Sequence, residues 1–335
     1  MSGSSLRLAG DGAAGSIAAV AILAAVLAAT APNFATADNF DVLAYGVANL
    51  ALVAFAQMVV IAAGGMDLSV GAMGGLAAVV VGGMMEVWHV PPVLAIAAGL
   101  GLGLAGGAVT GWLVVRTGLS AFMVTLATAS VFTGVNLGLT SGRPFYYLPD
   151  SFKALGALRL GGVPVLLVFT LAVGLALWWL FRNAGLGRQM LALGANPRAA
   201  ELAGVPVART RILVHMLSGL LAALAGIMLT ARLGVAQPSI GTDWLLNSFA
   251  APIIGGTLLT GGSLSVVGAV FGSLLLLLVG NGLIQLGIDT YWTQFFSGLI
   301  ILAAGGIDRI RSLNMERQER AERARLVRSR LESTA

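Results

Sequence analysis

The chain has 335 residues, of which 58% are hydrophobic and only 10% charged, with a mean hydropathy of +0.93 and a formal net charge of +5. Soluble domains carry about 25% charged residues, so these side chains cannot coat a water-soluble globule, and a large soluble catalytic domain is excluded. There is no Cys, and the two His residues, His89 and His215, are far apart in the sequence, which excludes a disulfide framework, a thiol nucleophile and a short metal-binding motif.

Apolar runs are read at 15–31, 42–63, 66–85, 91–115, 120–140, 163–181, 212–231, 243–261, 263–284 and 291–307. A membrane-spanning helix takes roughly 20 such residues. The expectation is therefore an all-α polytopic membrane protein of about ten spans, with a 1–14 N-terminal tail, a membrane body over 15–307, a polar loop at 182–211 and a charged tail at 308–335. The first run has a second reading as a signal peptide, since Arg7 precedes it and small residues follow at 29–35. Its length and Asp11 weigh against that reading, and cleavage would leave the other nine spans oriented as before.

Ten spans put both termini on one side of the membrane. On that side lie Arg7, Arg116, Arg182, Arg188, Arg198, Arg209, Arg211 and the eight arginines from Arg309 to Arg330; the other side holds Arg143, Lys153, Arg159 and Arg232. Lys and Arg accumulate in cytoplasmic loops, so both termini are expected in the cytoplasm of a bacterial inner membrane. The sequence pI near 10.4 is then a topology signal, and no folded basic surface remains for nucleic acid.

Between the second and third runs, Gly64-Gly65-Met66-Asp67-Leu68-Ser69-Val70-Gly71 places a carboxylate, a hydroxyl and three glycines where a helix has to break. An ionisable residue so close to hydrocarbon is a functional candidate by default, although Asp67 could equally cap a helix N-terminus. Next, Gly99, Gly103, Gly107 and Gly111 recur every four residues and mark one helix face for close packing; Gly71 with Gly75 and Gly268 with Gly272 repeat the spacing.

The polar loop carries the sharpest local signal. Asn196 suits an N-cap and Pro197 the first helical position. Gly204 suits the left-handed residue after the helix, and Pro206 blocks its continuation. A helix this short is marginal in water by itself, so it is expected to dock on a cytoplasmic partner, with the membrane surface as the alternative seat. Further on, Gly255, Gly256, Gly261 and Gly262 break the eighth and ninth runs apart, and Leu264-Ser265-Val266 echoes Leu68-Ser69-Val70 as a weak internal repeat. By the topology above, both breaks belong to the cytoplasmic side. In the tail, Glu316 with Arg320 and Glu319 with Arg323 have the spacing of helical ion pairs.

These stretches carry a resemblance. GGMDLSVG at 64–71, GLSAFMVTLAT at 118–128, GLGRQMLALGANPRAAELAGVPV at 185–207 and the paired glycines at 255, 256, 261 and 262 resemble the permease subunits of ABC importers of the ribose/monosaccharide type, over about residues 40–307. The resemblance implies cytoplasmic ATPase subunits that hold ATP and Mg, a periplasmic sugar-binding protein, and a second permease subunit, identical or paralogous. It implies that Asn196, Pro197, Ala199, Ala200, Glu201, Gly204 and Val205 form the helix that couples to the ATPase. Gly64, Gly65, Asp67, Ser69 and Gly71 match the first signature and Phe122, Thr125 and Thr128 the second. One departure is the stretch Asn247 to Pro252, where many members carry an acidic residue and no proline.

The residues agree with that division of labour. The only Lys is Lys153, outside any GxxxxGK[ST] loop, and neither a nucleophile elbow nor a metal-ligand cluster is present, so no catalysis and no cofactor is expected in this chain. The alternative reading is an ion-coupled secondary transporter of a small polar solute; against it, Asp67, Asp243, Asp289 and Asp308 are all placed near span boundaries. A passive channel would need a ring of filter residues, and none is visible. For a sugar path the candidates are polar or aromatic residues within spans: Asn49, Gln57, Phe122, Thr125, Phe132, Asn136, Asn247 and Asn281. Helix packing is the competing role for each. The outer-loop residues Phe145, Tyr146 and Tyr147 read as an aromatic anchor at the membrane surface or as a contact for the binding protein.

Overall fold

A computed structural model describes residues 10–288 and, beyond them, only scattered positions between 292 and 306. The tenth apolar run and the charged tail lie outside the described residues, apart from those positions. In chain order the elements are α1 (Gly10–Thr30), α2 (Ala37–Ala62), α3 (Val70–Glu86), α4 (Pro92–Thr117), α5 (Ala121–Thr140), α6 (Asp150–Ala157), the hairpin β1 (Arg159–Leu160) and β2 (Val163–Pro164), α7 (Val165–Asn183), α8 (Gly185–Ala195), α9 (Pro197–Leu202), α10 (Val207–Leu233), α11 (Trp244–Ile254) and α12 (Val266–Gln285). Seven of them, α1, α2, α4, α5, α7, α10 and α12, are long and apolar enough to cross a membrane. The protein is an all-α polytopic membrane protein.

Two of the ten apolar runs do not become full spans. α3 has 17 residues, about 25 Å of helix, and α11 has 11, about 16 Å, against a hydrocarbon core of about 30 Å. Hydropathy counts apolar residues and cannot see that the glycine breaks consume part of each run. At the N-terminus, α1 begins at Gly10, within the expected tail, and Val20 and Leu27 of that helix cluster with Ala31 and Phe34 just beyond its end and with Leu278 of α12.

The bundle is organised around α2. From Val47 to Ala62 its residues are buried on every side, Asn49 excepted, as expected of a helix that is apolar all round. It packs against α7, α10, α11 and α12. The helices alternate in direction, so α8, α9 and both glycine breaks share one end of the bundle, and α6 and the hairpin share the other. The glycine ladder of α4 faces α10. A Cβ at Gly107 would overlap the His215 carbonyl, one at Gly111 would lie 2.8 Å from Ile212 Cα, and Gly103 meets Gly219 in a reciprocal contact. These glycines bring two helix backbones together, as the four-residue spacing predicts.

Gly71 and Gly75 serve a different contact. They line a groove on α3 that receives backbone from the segment after α10: Gly71 abuts Gly241, and Gly75 abuts Ile240. That segment descends from an isolated bridge between Ala236 and Phe145 to reach α11 inside the bundle. Asn136 Nδ2 donates to the Pro238 carbonyl at 3.1 Å and holds the descent in place.

Candidate functional site

α9 is delimited as its residues demand. Asn196 is extended, and its side-chain oxygen accepts from Ala199 N–H at 3.0 Å; Pro197 follows as the first helical residue. At the other end, Val205 N–H donates to Ala200 O at 3.0 Å and Gly204 N–H to Glu201 O at 2.9 Å, the paired closure of a Schellman motif. Gly204 takes φ +82°, open to glycine at little cost. Ala200 is buried and turns toward the bundle, whereas Asn196, Pro197, Ala199, Glu201 and Gly204 are exposed and Val205 is half-buried. Leu202 is 91% exposed. The caps hid it, because attention to helix-stop chemistry overlooks an apolar residue in the last turn.

The polar loop also contains a helix that composition did not reveal. α8 seats Met190 and Leu193 in the interior and delivers Gly194 to a backbone junction. A Cβ at Gly194 would overlap the Ala62 carbonyl at the end of α2 and lie 2.6 Å from Gly262 N, and one at Gly261 would lie 2.9 Å from Gly64 Cα. Gly262 N–H donates to the Ala62 carbonyl at 2.9 Å. The second break, 255–265, is therefore bonded to the last residue of α2, and Gly64, Gly261 and Gly194, two places before Asn196, pack backbone against backbone. Across the second break, Gly255 packs on Gly268, and Gly272 packs on Ala251, closing α11 against α12. Gly256 N–H donates to Ile253 O at 2.9 Å in the turn after α11. The weak repeat extends only to position: Ser69 precedes α3 as Ser265 precedes α12, but Ser265 Oγ caps its helix by accepting from Gly268 N–H at 3.0 Å, whereas Ser69 Oγ donates to Asp67.

Asp67 lies in the break between α2 and α3, near the helix ends as the sequence placed it, and its side chain is buried inside the bundle. Its Oδ1 accepts from Ser69 N–H at 2.9 Å and Ser69 Oγ at 2.6 Å, and its Oδ2 accepts from Ser218 Oγ at 3.1 Å and faces His215 Nδ1 at 3.4 Å. The Asp67 and His215 side chains are each 4% exposed. Oriented to satisfy both of its groups, the Gln57 amide donates to the Asp67 carbonyl at 2.8 Å and accepts from Asp67 N–H at 3.3 Å. Asp67 thus organises the turn before α3, close to the capping role, and also ties it to α10. His215 is a hydrogen-bonded core residue, and among the described residues no three His, Cys, Asp or Glu cluster to hold a metal.

Of the eight path candidates, the structure brings two together. Asn49 and Asn247 line one cavity of about 240 Å³ in the hairpin half of the bundle, with Tyr45, Arg232, Asp243 and Trp244. The others serve packing or local structure. Gln57 holds Asp67. Thr125 Oγ1 donates to Ala121 O in its own helix, and Thr128 Oγ1 to Thr125 O. Phe122 is exposed on α5, and Phe132 packs at the core edge near Gly106. Asn136 holds the descending segment, and Asn281 donates to Asn39 Oδ1 at 2.6 Å, joining α12 to the start of α2. Pro252 sits buried in the last turn of α11, and its carbonyl accepts from Thr257 N–H at 2.9 Å as the helix ends.

One turn before Tyr45 on α2, Asp41 is held in a two-pronged pair with Arg159 of β1, at 3.0 and 2.6 Å. Hydrogen bonding and charge attraction from Asp41 raise the Arg159 pKa above its ordinary value. Of the outer-loop aromatics, Phe145 packs against Gly83, while Tyr146 and Tyr147 are exposed.

A family profile described as branched-chain amino acid transport system / permease component matches residues 39–305. The chain is 38% identical over 298 residues to the ribose import permease protein RbsC of Escherichia coli (strain K12), covering 88% of this chain and 92% of that one. It is 34% identical over 292 residues to the D-allose transport system permease protein AlsC of the same strain, covering 87% and 90%. Against the fructose import permease protein FrcC of Rhizobium meliloti it is 33% identical over 288 residues, covering 82% and 79%. No solved structure gives a significant match. The chain is a multi-pass membrane transport component and belongs to the branched-chain amino acid transport system permease family.

Proposed function

We propose that this chain is the transmembrane permease subunit of a binding-protein-dependent ABC importer, moving a monosaccharide across the bacterial inner membrane by alternating access. ATP and Mg belong to separate cytoplasmic ATPase subunits that grip α9, and a periplasmic binding protein delivers sugar at the hairpin end. A second permease subunit, identical or paralogous, completes the path. The α9 end and both termini then lie in the cytoplasm, in keeping with the excess of arginine on that side. The relatives are named as ribose, D-allose and fructose permeases, which supports a sugar and gives the ion-coupled alternative no support.

The observation that carries the mechanism is the junction at Gly194. A helix held at both ends and exposed along one side is linked, two residues upstream, to the backbone of both breaks. Force applied to α9 by an ATPase is passed to the inner mouth of the bundle through contacts that contain no flexible side chain. The test is reconstitution with the ATPase and binding protein. Uptake of D-ribose, D-allose or D-fructose should require ATP and persist when ion gradients are collapsed. Nucleotide-independent accumulation by this chain alone would overturn the proposal.

A further inference from the structure

The cavity between α2, α10 and α11 has a polar inventory that the fold does not use. Asn49 Nδ2 donates to the Ala225 carbonyl at 2.9 Å and Asn247 Nδ2 to the Asp243 carbonyl at 3.3 Å. Both amides are thereby turned and fixed, and among the described residues neither amide oxygen has a protein donor. Arg232 and Asp243 line the same 240 Å³ space without forming an ion pair among the described residues. The Arg232 guanidinium instead lies 3.9 Å above the Tyr45 ring centroid, an arrangement that holds it in place and leaves its N–H edge available. Trp244 is 4% exposed, with its indole against Gly74, and forms a rigid wall.

We infer that this cavity is a receiving site for a neutral polyhydroxyl solute of monosaccharide size, a reading that rests on the importer function proposed above. Four groups line it, the first two and the last held in place: three acceptors, from Asn49, Asn247 and Asp243, and one multiple donor, Arg232. Each sugar hydroxyl both donates and accepts, so a ring of them satisfies both kinds at once. One positive and one negative side chain cancel, which disfavours a solute of net charge. The volume lies below the ~300–1,000 Å³ of sites for drug-sized ligands. By contrast, the larger groove between α7 and α12, about 360 Å³, is lined by leucines, valines, Gly174, Phe271 and Trp178, and offers a sugar almost no partner.

The natural absence of cysteine makes the test direct. Asn247→Cys introduces a single thiol into the cavity, and Trp88→Cys places one on the exposed loop at the same end. In the full complex with its ATPase and binding protein, a membrane-impermeant maleimide is applied with and without D-ribose, D-allose or D-fructose. The transported sugar should slow labelling at Asn247→Cys and leave Trp88→Cys unaffected. Separately, Arg232→Leu and Asp243→Asn should each raise the KM for sugar uptake about tenfold, the worth of one hydrogen bond to a charged group. Sugar uptake by the wild-type complex together with unprotected labelling and normal KM in both variants would overturn this site alone. Protection by a branched-chain amino acid in place of sugar would also overturn it. No sugar uptake by the wild-type complex would overturn the functional reading, and this site with it.

Discussion

Asp67 and His215 face each other at 3.4 Å in the interior, one from the break before α3 and the other from the third turn of α10. Eight residues separate His215 from Val207 at the start of α10, about 12 Å of helix, so the first glycine break is pinned well inside the bundle. Removing one hydrogen-bonding partner of a buried group costs about 1–3 kcal/mol, more where the group left behind is charged. His215→Leu is therefore expected to lower stability by about 3 kcal/mol, since Asp67 keeps only Ser69 and Ser218 as side-chain donors. Asp67→Asn keeps an acceptor for Ser69 and should cost about 1 kcal/mol. Thermal unfolding in detergent distinguishes them; equal losses would mean that the carboxylate is not paired with His215.

Gly194 is the position where substitution should separate transport from assembly. Its surroundings are backbone atoms of Ala62 and Gly262, which cannot move aside as a side-chain tip can. Gly194→Val is expected to abolish ATP-dependent uptake while the chain still reaches the membrane and still retains its ATPase. Gly185→Ala meets open space and should transport normally. The pair is read by vesicle uptake beside affinity co-purification, and normal uptake by Gly194→Val would remove the junction from the mechanism.

On α9 the exposed Leu202 is predicted to seat in the ATPase. Leu202→Glu should reduce ATPase co-purification by about tenfold, the scale of an interface residue worth more than 1 kcal/mol. Gly204→Val should also weaken retention, because a non-glycine residue at φ +82° strains the Schellman closure by roughly 1–2 kcal/mol. A bulky residue at Ala200 acts from the other side, by lifting α9 off the bundle. Full retention by Leu202→Glu would move the docking surface elsewhere.

The α4 glycines provide an internal contrast. Gly107→Ala places a Cβ on the His215 carbonyl and should destabilise by about 1–3 kcal/mol. Gly101→Ala meets nothing within 4 Å, and helix propensity alone should stabilise it by roughly 0.5–1 kcal/mol. Opposite shifts in melting temperature are the expected result.

Local chemistry was legible wherever a few adjacent residues decide the backbone. Asn196, Pro197, Gly204 and Pro206 specify α9 because capping is settled within one or two turns, and the ladder from Gly99 specifies a close helix contact because its spacing matches one helix face. The partner of that face, α10, was not legible, nor was the use of Gly71 and Gly75 to admit a non-helical segment. Helix α8 was not legible because it is short, carries three glycines at Gly185, Gly187 and Gly194, and has no capping side chain at its start. The breaks at 64–71 and 255–265 were visible as glycine clusters, yet their mutual contact spans nearly two hundred residues, a separation over which local pattern carries no information.

By itself, the sequence determined the solvent this protein lives in, the helical class and the ends of its shortest helix, since hydropathy and backbone preference act residue by residue. It also pointed to orientation, through where arginine can remain hydrated. Tertiary structure alone decided that α3 and α11 fall short of full spans, that Asp67 is buried against His215 and that Asn49 and Asn247 share a cavity with Arg232 and Asp243. Those outcomes depend on which helices pack together. Packing is settled by shape matching and by pairing every buried polar group, and both are properties of the assembled bundle.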